Sequence, residues 1–356
     1  ATQSYFFDYD RDGDFDLFQL NHSIDPARTV GDVEQRKVKD ALSGDRLLRN
    51  EGGKFVDVTE NAGIFSSKLG YGLSAAVGDI DMDGWPDVYV CNDFHEDDYL
   101  YINQGNGTFT EALRSHIGHT SRFSMGSDLA DINNDGLPDL ITLDMKPDRE
   151  DILKTAEAPE SYRIFQYKLS FGYYHQYPHN ALQLNRGAGK FSEIAQLLGI
   201  DATDWSWSAL FADFDNDGYK DLHITNGIYR RPNDMDYIKF ISDPEVTRKL
   251  NDEPTDEDLQ FIEQMPQVKI PNYIFRGKEN NTFENLTTLW GLDQPFFSNG
   301  AIYSDLDRDG DLDLVVNHIQ DVASIYENHQ QDSLSKDAYL SIELEGPVQN
   351  PNGVGA

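Results

Sequence analysis

The chain has 356 residues, of which 63 are acidic and 29 basic, giving a net charge of −34, with 12% aromatic residues and a single cysteine. That charge repels nucleic-acid phosphates and anionic membrane surfaces, and the aromatic content supplies a core that disordered segments lack. One cysteine, Cys91, excludes an internal disulfide framework, and no apolar run reaches the roughly 18 residues of a membrane-crossing helix.

The first predicted element is a strand near the N-terminus, leading into the acidic phrase Asp8-Tyr-Asp10-Arg-Asp12-Gly13-Asp14-Phe-Asp16 and a second short strand, Leu17-Phe-Gln-Leu20. The chain opens at Ala1 inside this first repeat, so the N-terminus reads as a truncation. Residues 21–46 break the rhythm and read as partly helical. A second recurring phrase follows, Leu47-Leu-Arg-Asn50-Glu-Gly-Gly53-Lys-Phe55, which is strand, Gly/Asn turn, strand: a β-hairpin signal.

The acidic phrase returns as Asp79-Ile-Asp81-Met-Asp83-Gly84-Trp85-Pro-Asp87 and Asp131-Ile-Asn133-Asn-Asp135-Gly136-Leu137-Pro-Asp139. Two later copies are Asp213-Phe-Asp215-Asn-Asp217-Gly218-Tyr219-Lys-Asp221 and Asp305-Leu-Asp307-Arg-Asp309-Gly310-Asp311-Leu-Asp313. Hairpin phrases accompany them at Leu100–Phe109, Leu182–Phe191 and, more loosely, Tyr273–Phe283. The shortest interval, from Asp79 to Asp131, suits one unit of four short strands, and the longer intervals hold insertions. Residues 145–180 carry Asp148–Lys154 and then an aromatic cluster; residues 227–272 carry two amphipathic stretches, 234–251 and 255–265. Small residues (Ser4, Ala75, Ser127, Ala209 and Ala301) stand four places before every phrase. A fixed small residue in a strand implies close approach of neighbouring backbones, as at the axis of a β-propeller.

Oxygen groups at phrase positions 1, 3, 5 and 9, a backbone carbonyl at 7 and a glycine at 6 describe a calcium cradle. Ca²⁺ takes six to eight oxygens, and glycine permits the sharp bend that turns them inward. The predicted ligands are Asp8, Asp10, Asp12, Asp14 and Asp16; Asp79, Asp81, Asp83, Trp85 and Asp87; Asp131, Asn133, Asp135, Leu137 and Asp139. They continue with Asp213, Asp215, Asp217, Tyr219 and Asp221, and with Asp305, Asp307, Asp309, Asp311 and Asp313. An EF-hand needs a bidentate Glu at loop position 12 and flanking helices. Position 12 here is Gln19, Val90, Thr142, Ile224 or Val316, and each phrase runs into a strand. The cradle therefore joins two strands, and about five ions are expected.

With both phrases in view, the chain resembles the FG-GAP or VCBS calcium-loop repeats, distantly similar to the integrin α-chain propeller. It looks most like bacterial VCBS-repeat proteins that end in an ASPIC/UnbV module. That likeness rests on Gly84-Trp-Pro-Asp87-Val-Tyr-Val-Cys-Asn92, Ala202-Thr-Asp-Trp205-Ser-Trp207, Gln294–Gly300 and the closing Leu344–Ala356. The resemblance implies an all-β fold: a β-propeller of four-stranded blades with calcium loops in the inner hairpins and helical insertions. Residues 1–335 would form about five blades of a larger ring, and 336–356 the start of the ASPIC/UnbV-like module. It assigns calcium to all five phrases, with Asn133 a neutral departure in the third. It also implies export, with an extracytoplasmic or outer-membrane location and a lipid anchor outside this sequence.

No nucleophile elbow, phosphate-cradling loop or Cys/His cluster appears. His175 and His179 have i,i+4 spacing, but Pro178 between them argues against one helix face. Tyr173, Tyr174, His175, Trp205 and Trp207 are candidate ligand contacts, weighed against ordinary packing. The leading expectation is a non-enzymatic binding or scaffold module for glycans or envelope and surface proteins. The alternatives are a polysaccharide lyase or hydrolase acting at the channel mouth, and a purely structural part of a surface assembly.

Overall fold

The computed structural model describes residues 1–23, 33–40, 42–65, 67–156, 160–247, 256–330 and 346. The segment expected to open a second module, 336–356, lies outside these apart from Gly346. So does the junction of the two amphipathic stretches at 248–255.

Five antiparallel sheets follow one another along the chain. The first holds β1 (Gln3–Phe7), β2 (Asp16–Leu20), β3 (Arg46–Asn50) and β4 (Phe55–Asp57); the second holds β5 (Gly72–Gly78), β6 (Asp87–Asn92), β7 (Tyr99–Asn103) and β8 (Phe109–Glu111). A detached strand, β9 (Thr120–Ser121), precedes the third sheet of β10 (Ser127–Ala130), β11 (Asp139–Thr142), β13 (Ala181–Asn185) and β14 (Phe191–Glu193). Its partner, β12 (Gln176–Tyr177), pairs with β9 in parallel. The fourth sheet is β15 (Ser206–Ala212), β16 (Asp221–Asn226), β17 (Tyr273–Lys278) and β18 (Thr282–Asn285), and the fifth is β19 (Ser298–Ser304), β20 (Asp313–His318) and β21 (Ser324–Tyr326).

Each sheet's first strand lies against the next sheet's first strand, β1 to β5, β5 to β10, β10 to β15 and β15 to β19. This is a β-propeller with meander blades. Backbones approach closely beside these inner strands: just before β10, a Cβ on Gly126 would stand 2.1 Å from the carbonyl oxygen of Trp207 in the next blade.

The core is divided into layers between blades, because a central strand has a neighbour on both faces. In β6, Val88 and Val90 pack towards the first blade with Phe18, Leu20 and Tyr101. The alternating Tyr89 and Cys91 pack towards the third with Leu100 and Leu140. Similar layers join blades three and four around Ile141, Phe211 and Phe275, and blades four and five around Phe214, Ile274 and Leu314. Burying such side chains contributes about 1.5–3 kcal/mol apiece. The outer faces of the end blades lack a described neighbour, and there Phe6, Phe55, Ile302 and Ile325 are exposed.

Meander topology sorts the connections. The acidic phrases and the Gly/Asn turns lie at one end of the strands, and the connections from second to third strands at the other. The insertions thus gather on the face opposite the acidic loops. There, residues 21–46 contribute a 3₁₀ turn at Val33–Lys37. The blade-two to blade-three connection has α1 (Leu113–His116), and residues 145–180 hold α2 (Glu150–Thr155) and α3 (Tyr162–Ser170). Ser161 caps α3 by accepting from the Ile164 amide. After α4 (Ala195–Leu198), residues 227–272 hold α5 (Met235–Ile241), α6 (Pro244–Thr247) and α7 (Asp256–Ile262).

Candidate metal centres

All five acidic phrases adopt one loop. Its glycine, at position 6, has φ between 85° and 98°, and position 4 is left-handed too, at Arg11, Met82, Asn134, Asn216 and Arg308. Two left-handed residues wrap the chain around the position-1 carboxylate. In the second copy, Asp79 accepts from the amides of Asp83 (3.0 Å) and Gly84 (2.9 Å), while Asp83 accepts from Trp85 (2.9 Å). Asp8, Asp131, Asp213 and Asp305 take the corresponding amides in their own loops.

The aspartate at position 9 has a separate task. Asp16, Asp87, Asp139 and Asp221 are fully buried, and Asp313 is 2% exposed. Each accepts from the amide at position 2 and from one at the end of the third strand: Asn50, Asn103, Asn185, Gly277 or Asn328. Position 9 therefore clamps the loop to its blade as well as facing its interior. Burial pushes four of them up, to about 7 for Asp16, Asp87 and Asp221 and about 6 for Asp139, against the opposing pull of the amides.

At position 3, Asp81, Asn133 and Asp307 accept from the position-5 amide, but two copies keep an oxygen without a donor. Oδ1 of Asp10 and Oδ1 of Asp215 are buried without a hydrogen-bond donor. Burial, followed by repulsion from neighbouring aspartates, raises the carboxyls of Asp10, Asp81 and Asp215. In three loops the carboxylates at positions 1, 3 and 9 bring oxygens within 4.8 Å of one another: Asp8, Asp10 and Asp16; Asp79, Asp81 and Asp87; Asp213, Asp215 and Asp221. In the fifth loop Asp305, Asp307 and Asp309 do so. The third loop has Asn133 in the corresponding place, its Nδ2 donating to Asp135 at 3.0 Å. Orphaned oxygens, converging acids and an all-oxygen donor set fit a hard cation.

The fourth loop differs. Arg276 places Nε 2.6 Å from Asp215 and Nη2 2.8 Å from Asp217, so a guanidinium already balances two of its acids.

The loops are also joined to one another along their rim. Arg11 donates to the Gly84 carbonyl (2.8 Å), Asn134 to the Gly218 carbonyl (2.9 Å), and Asn216 to Asp311 Oδ1 (2.7 Å). Two hairpin-phrase asparagines, Asn103 and Asn185, and Asn328, which lies outside those phrases, add a second set of ties. Asn103, Asn185 and Asn328 donate Nδ2 to the position-2 carbonyls of the preceding blade's loop, at Tyr9 (2.8 Å), Ile80 (3.0 Å) and Phe214 (2.7 Å). In the fourth blade the strand register sets Gly277 opposite Phe283, as Asn185 stands opposite Phe191. Gly277 rather than Arg276 thus takes the asparagine's place, and this seam has no such tie.

Of the candidate ligand contacts, Tyr173 is 3% exposed, with the Arg36 guanidinium 4.3 Å from its ring centre. Tyr174 is half-buried, donating its hydroxyl to the Ile117 carbonyl, and His175 is exposed. Trp207 donates Nε1 to the Gly227 carbonyl, whereas Nε1 of Trp205 is buried without a partner. Tyr174 and His175 are in edge contact, their ring centres 5.5 Å apart. The open aromatic faces of the insertion are those of Tyr162, Tyr167, Phe171 and Tyr177. His179 pairs with His119 across the chain, their ring centres 5.8 Å apart, rather than with His175.

A family model described as FG-GAP-like repeat matches residues 79–142 and 170–224. No curated protein sequence matches the chain. Among solved structures, the chain is similar to an Agrocybe aegerita lectin described as recognising non-reducing terminal N-acetylglucosamine (14% identity, TM-score 0.41, 92% of this chain and 66% of that one). It is also similar to the rhamnogalacturonan lyase YesW (14%, TM-score 0.37, 89% and 55%). A third similar structure is the Photorhabdus luminescens Tc holotoxin pore (12%, TM-score 0.33, 91% and 11%). The chain spans less than two thirds of the length of each. No helix among the described residues is long and apolar enough to cross a membrane.

Proposed function

We propose that this chain is a calcium-stabilised, extracytoplasmic β-propeller that acts as a non-enzymatic binding or scaffold module for glycans or envelope proteins. The observation that carries the metal is the donorless, buried position-3 carboxylate oxygen of Asp10, which converges with the acids of Asp8 and Asp16. Calcium bound there would supply the missing countercharge. Positions 1, 3, 5 and 9 with the carbonyl of position 7 would hold it, leaving few coordination places for a substrate. Extracellular calcium modules bind at around 10⁻⁴–10⁻³ M, so such sites fill outside the cytosol. At ten times Kd each site stabilises the fold by about 1.4 kcal/mol, and five sites by about 7, comparable with the whole stability of an ordinary domain.

The binding role is supported by the face opposite the loops. Its insertions present Tyr162, Tyr167, Phe171 and Tyr177, with Tyr167 and Phe171 in edge contact at 5.3 Å. Aromatic faces suit sugar rings or peptide segments. Two measurements test the two halves of the reading. EDTA should lower the melting temperature by many degrees and calcium should restore it; an unchanged melting curve refutes the metal. A glycan array probed with calcium-loaded protein should give hits that Tyr167→Ala weakens. Hits indifferent to Tyr162→Ala, Tyr167→Ala and Tyr177→Ala would refute the aromatic surface.

A further inference from the structure

The parallel pair β9–β12 belongs to no blade, and its effect is to bring two distant loop ends together. Thr120 donates its amide to the His175 carbonyl (3.0 Å) and Arg122 to the Tyr177 carbonyl (3.1 Å). His119 immediately precedes β9, His179 follows β12 by two residues, and Glu193 ends β14 of the adjoining blade. One ligand atom from each of these three side chains lies within 4.8 Å of the others. We propose that His119, His179 and Glu193 form a site for one transition-metal dication of the zinc type, on the face opposite the acidic loops.

The donor set separates this site from the loops. Two imidazoles and one carboxylate suit zinc and its neighbours, whereas calcium wants oxygen alone. Two of the three ligands are also held from behind, as metal ligands usually are. Nδ1 of His179 lies 2.6 Å from the Asn180 carbonyl, so it carries the hydrogen and leaves the Nε2 lone pair free. His179 is only 5% exposed. Oε1 of Glu193 accepts from the amides of Leu182 (3.3 Å) and Ala195 (2.6 Å), which leaves Oε2 for the site, 3.6 Å from Nε2 of His119.

Tyr177 wedges against both imidazoles, edge-on to His119 at 5.1 Å and stacked with His179 at 6.4 Å. Zinc bonds of 2.0–2.1 Å in a tetrahedron put ligand atoms roughly 3.3 Å apart. The His119–Glu193 separation is close to that, and a small shift of the His179 ring completes the set. Three protein ligands leave a fourth position open, as in zinc sites that bind a water or an anionic ligand.

The test is titration of calcium-loaded protein with Co²⁺ and Zn²⁺. One equivalent of Co²⁺ should give the intense visible bands of a tetrahedral nitrogen-containing site, which Zn²⁺ bleaches. His119→Gln and His179→Ala should abolish the bands. Asp81→Ala in an acidic loop should leave them unchanged. His119 is partly exposed, so His119→Gln should keep the wild-type melting curve in calcium and guards against loss of folding. Absence of tetrahedral bands in the wild type, or bands that survive His119→Gln, overturns the assignment, as do bands that disappear with Asp81→Ala.

Discussion

Asn185→Ala isolates the tie between neighbouring blades. Asn185 is 2% exposed. Its Nδ2 donates to the Ile80 carbonyl of the preceding blade (3.0 Å) and the Pro138 carbonyl of its own loop (3.1 Å), while its Oδ1 accepts from the Gly187 amide (3.0 Å). Each such bond contributes about 1 kcal/mol net. Alanine removes all three and leaves the carbonyl of Ile80, a buried residue, without this donor, so the loss should come to about 3 kcal/mol. Nothing else in the loop changes: Asp139 still accepts from the amide of residue 185, which alanine retains. The assay is the denaturant midpoint in excess calcium, with Asn106→Ala as control. Asn106 is an exposed turn residue whose side chain bonds only Thr108, so its removal should shift stability by less than about 0.5 kcal/mol. If the two variants unfold at the same denaturant concentration, the inter-blade tie has no energetic weight.

Gly277→Asn restores the asparagine of the other blades, yet it should destabilise, because a Cβ there would stand 2.2 Å from the Lys220 carbonyl oxygen; a raised melting temperature would count against this account. Arg276→Ala should widen the gap between melting temperatures in calcium and in EDTA, since the guanidinium balances Asp215 and Asp217 when metal is absent and opposes a cation when it is present; an unchanged or narrower gap contradicts the role assigned to Arg276. Asp98 is fully buried, and burial raises its carboxyl to about 7 although the hydroxyls of Tyr89 and Ser124 and the Asn92 amide donate to it. A carboxyl raised above its unfolded value of about 3.9 favours folding most below pH 4 and loses that contribution as pH climbs through 7. The melting temperature of Asp98→Asn should therefore fall less than the wild type's between pH 5 and 8, and parallel slopes would exclude Asp98 as the source.

The repeated loops were legible because their geometry is local. A glycine at position 6 announces its left-handed turn, and the strands on either side follow from composition. The left-handed residue at position 4 was not, since Arg11, Met82 and Arg308 carry no such preference and are held there by the bonds around them. Asn103 and Asn185 of the hairpin phrase signalled turns, but the carbonyls they reach are 94 and 105 residues away in sequence. The loose fourth hairpin phrase suggested Arg276 as the matching residue, and only strand pairing identifies Gly277. His119, His179 and Glu193 come from three segments that β9 and β12 bring together. The one histidine spacing within a segment, His175 and His179, is interrupted by Pro178 and argues against a shared helix face.

Because the ties from Asn103, Asn185 and Asn328 all point backwards, a blade is completed by its successor. The Tyr9 carbonyl waits for Asn103, the Ile80 carbonyl for Asn185 and the Phe214 carbonyl for Asn328. A chain emerging from the ribosome would therefore lock vectorially, each newly made sheet fastening the one before it. At the Gly277 seam that fastening is missing, and blades three and four are joined instead by Asn134 on the Gly218 carbonyl and the Phe211 amide on Asp128.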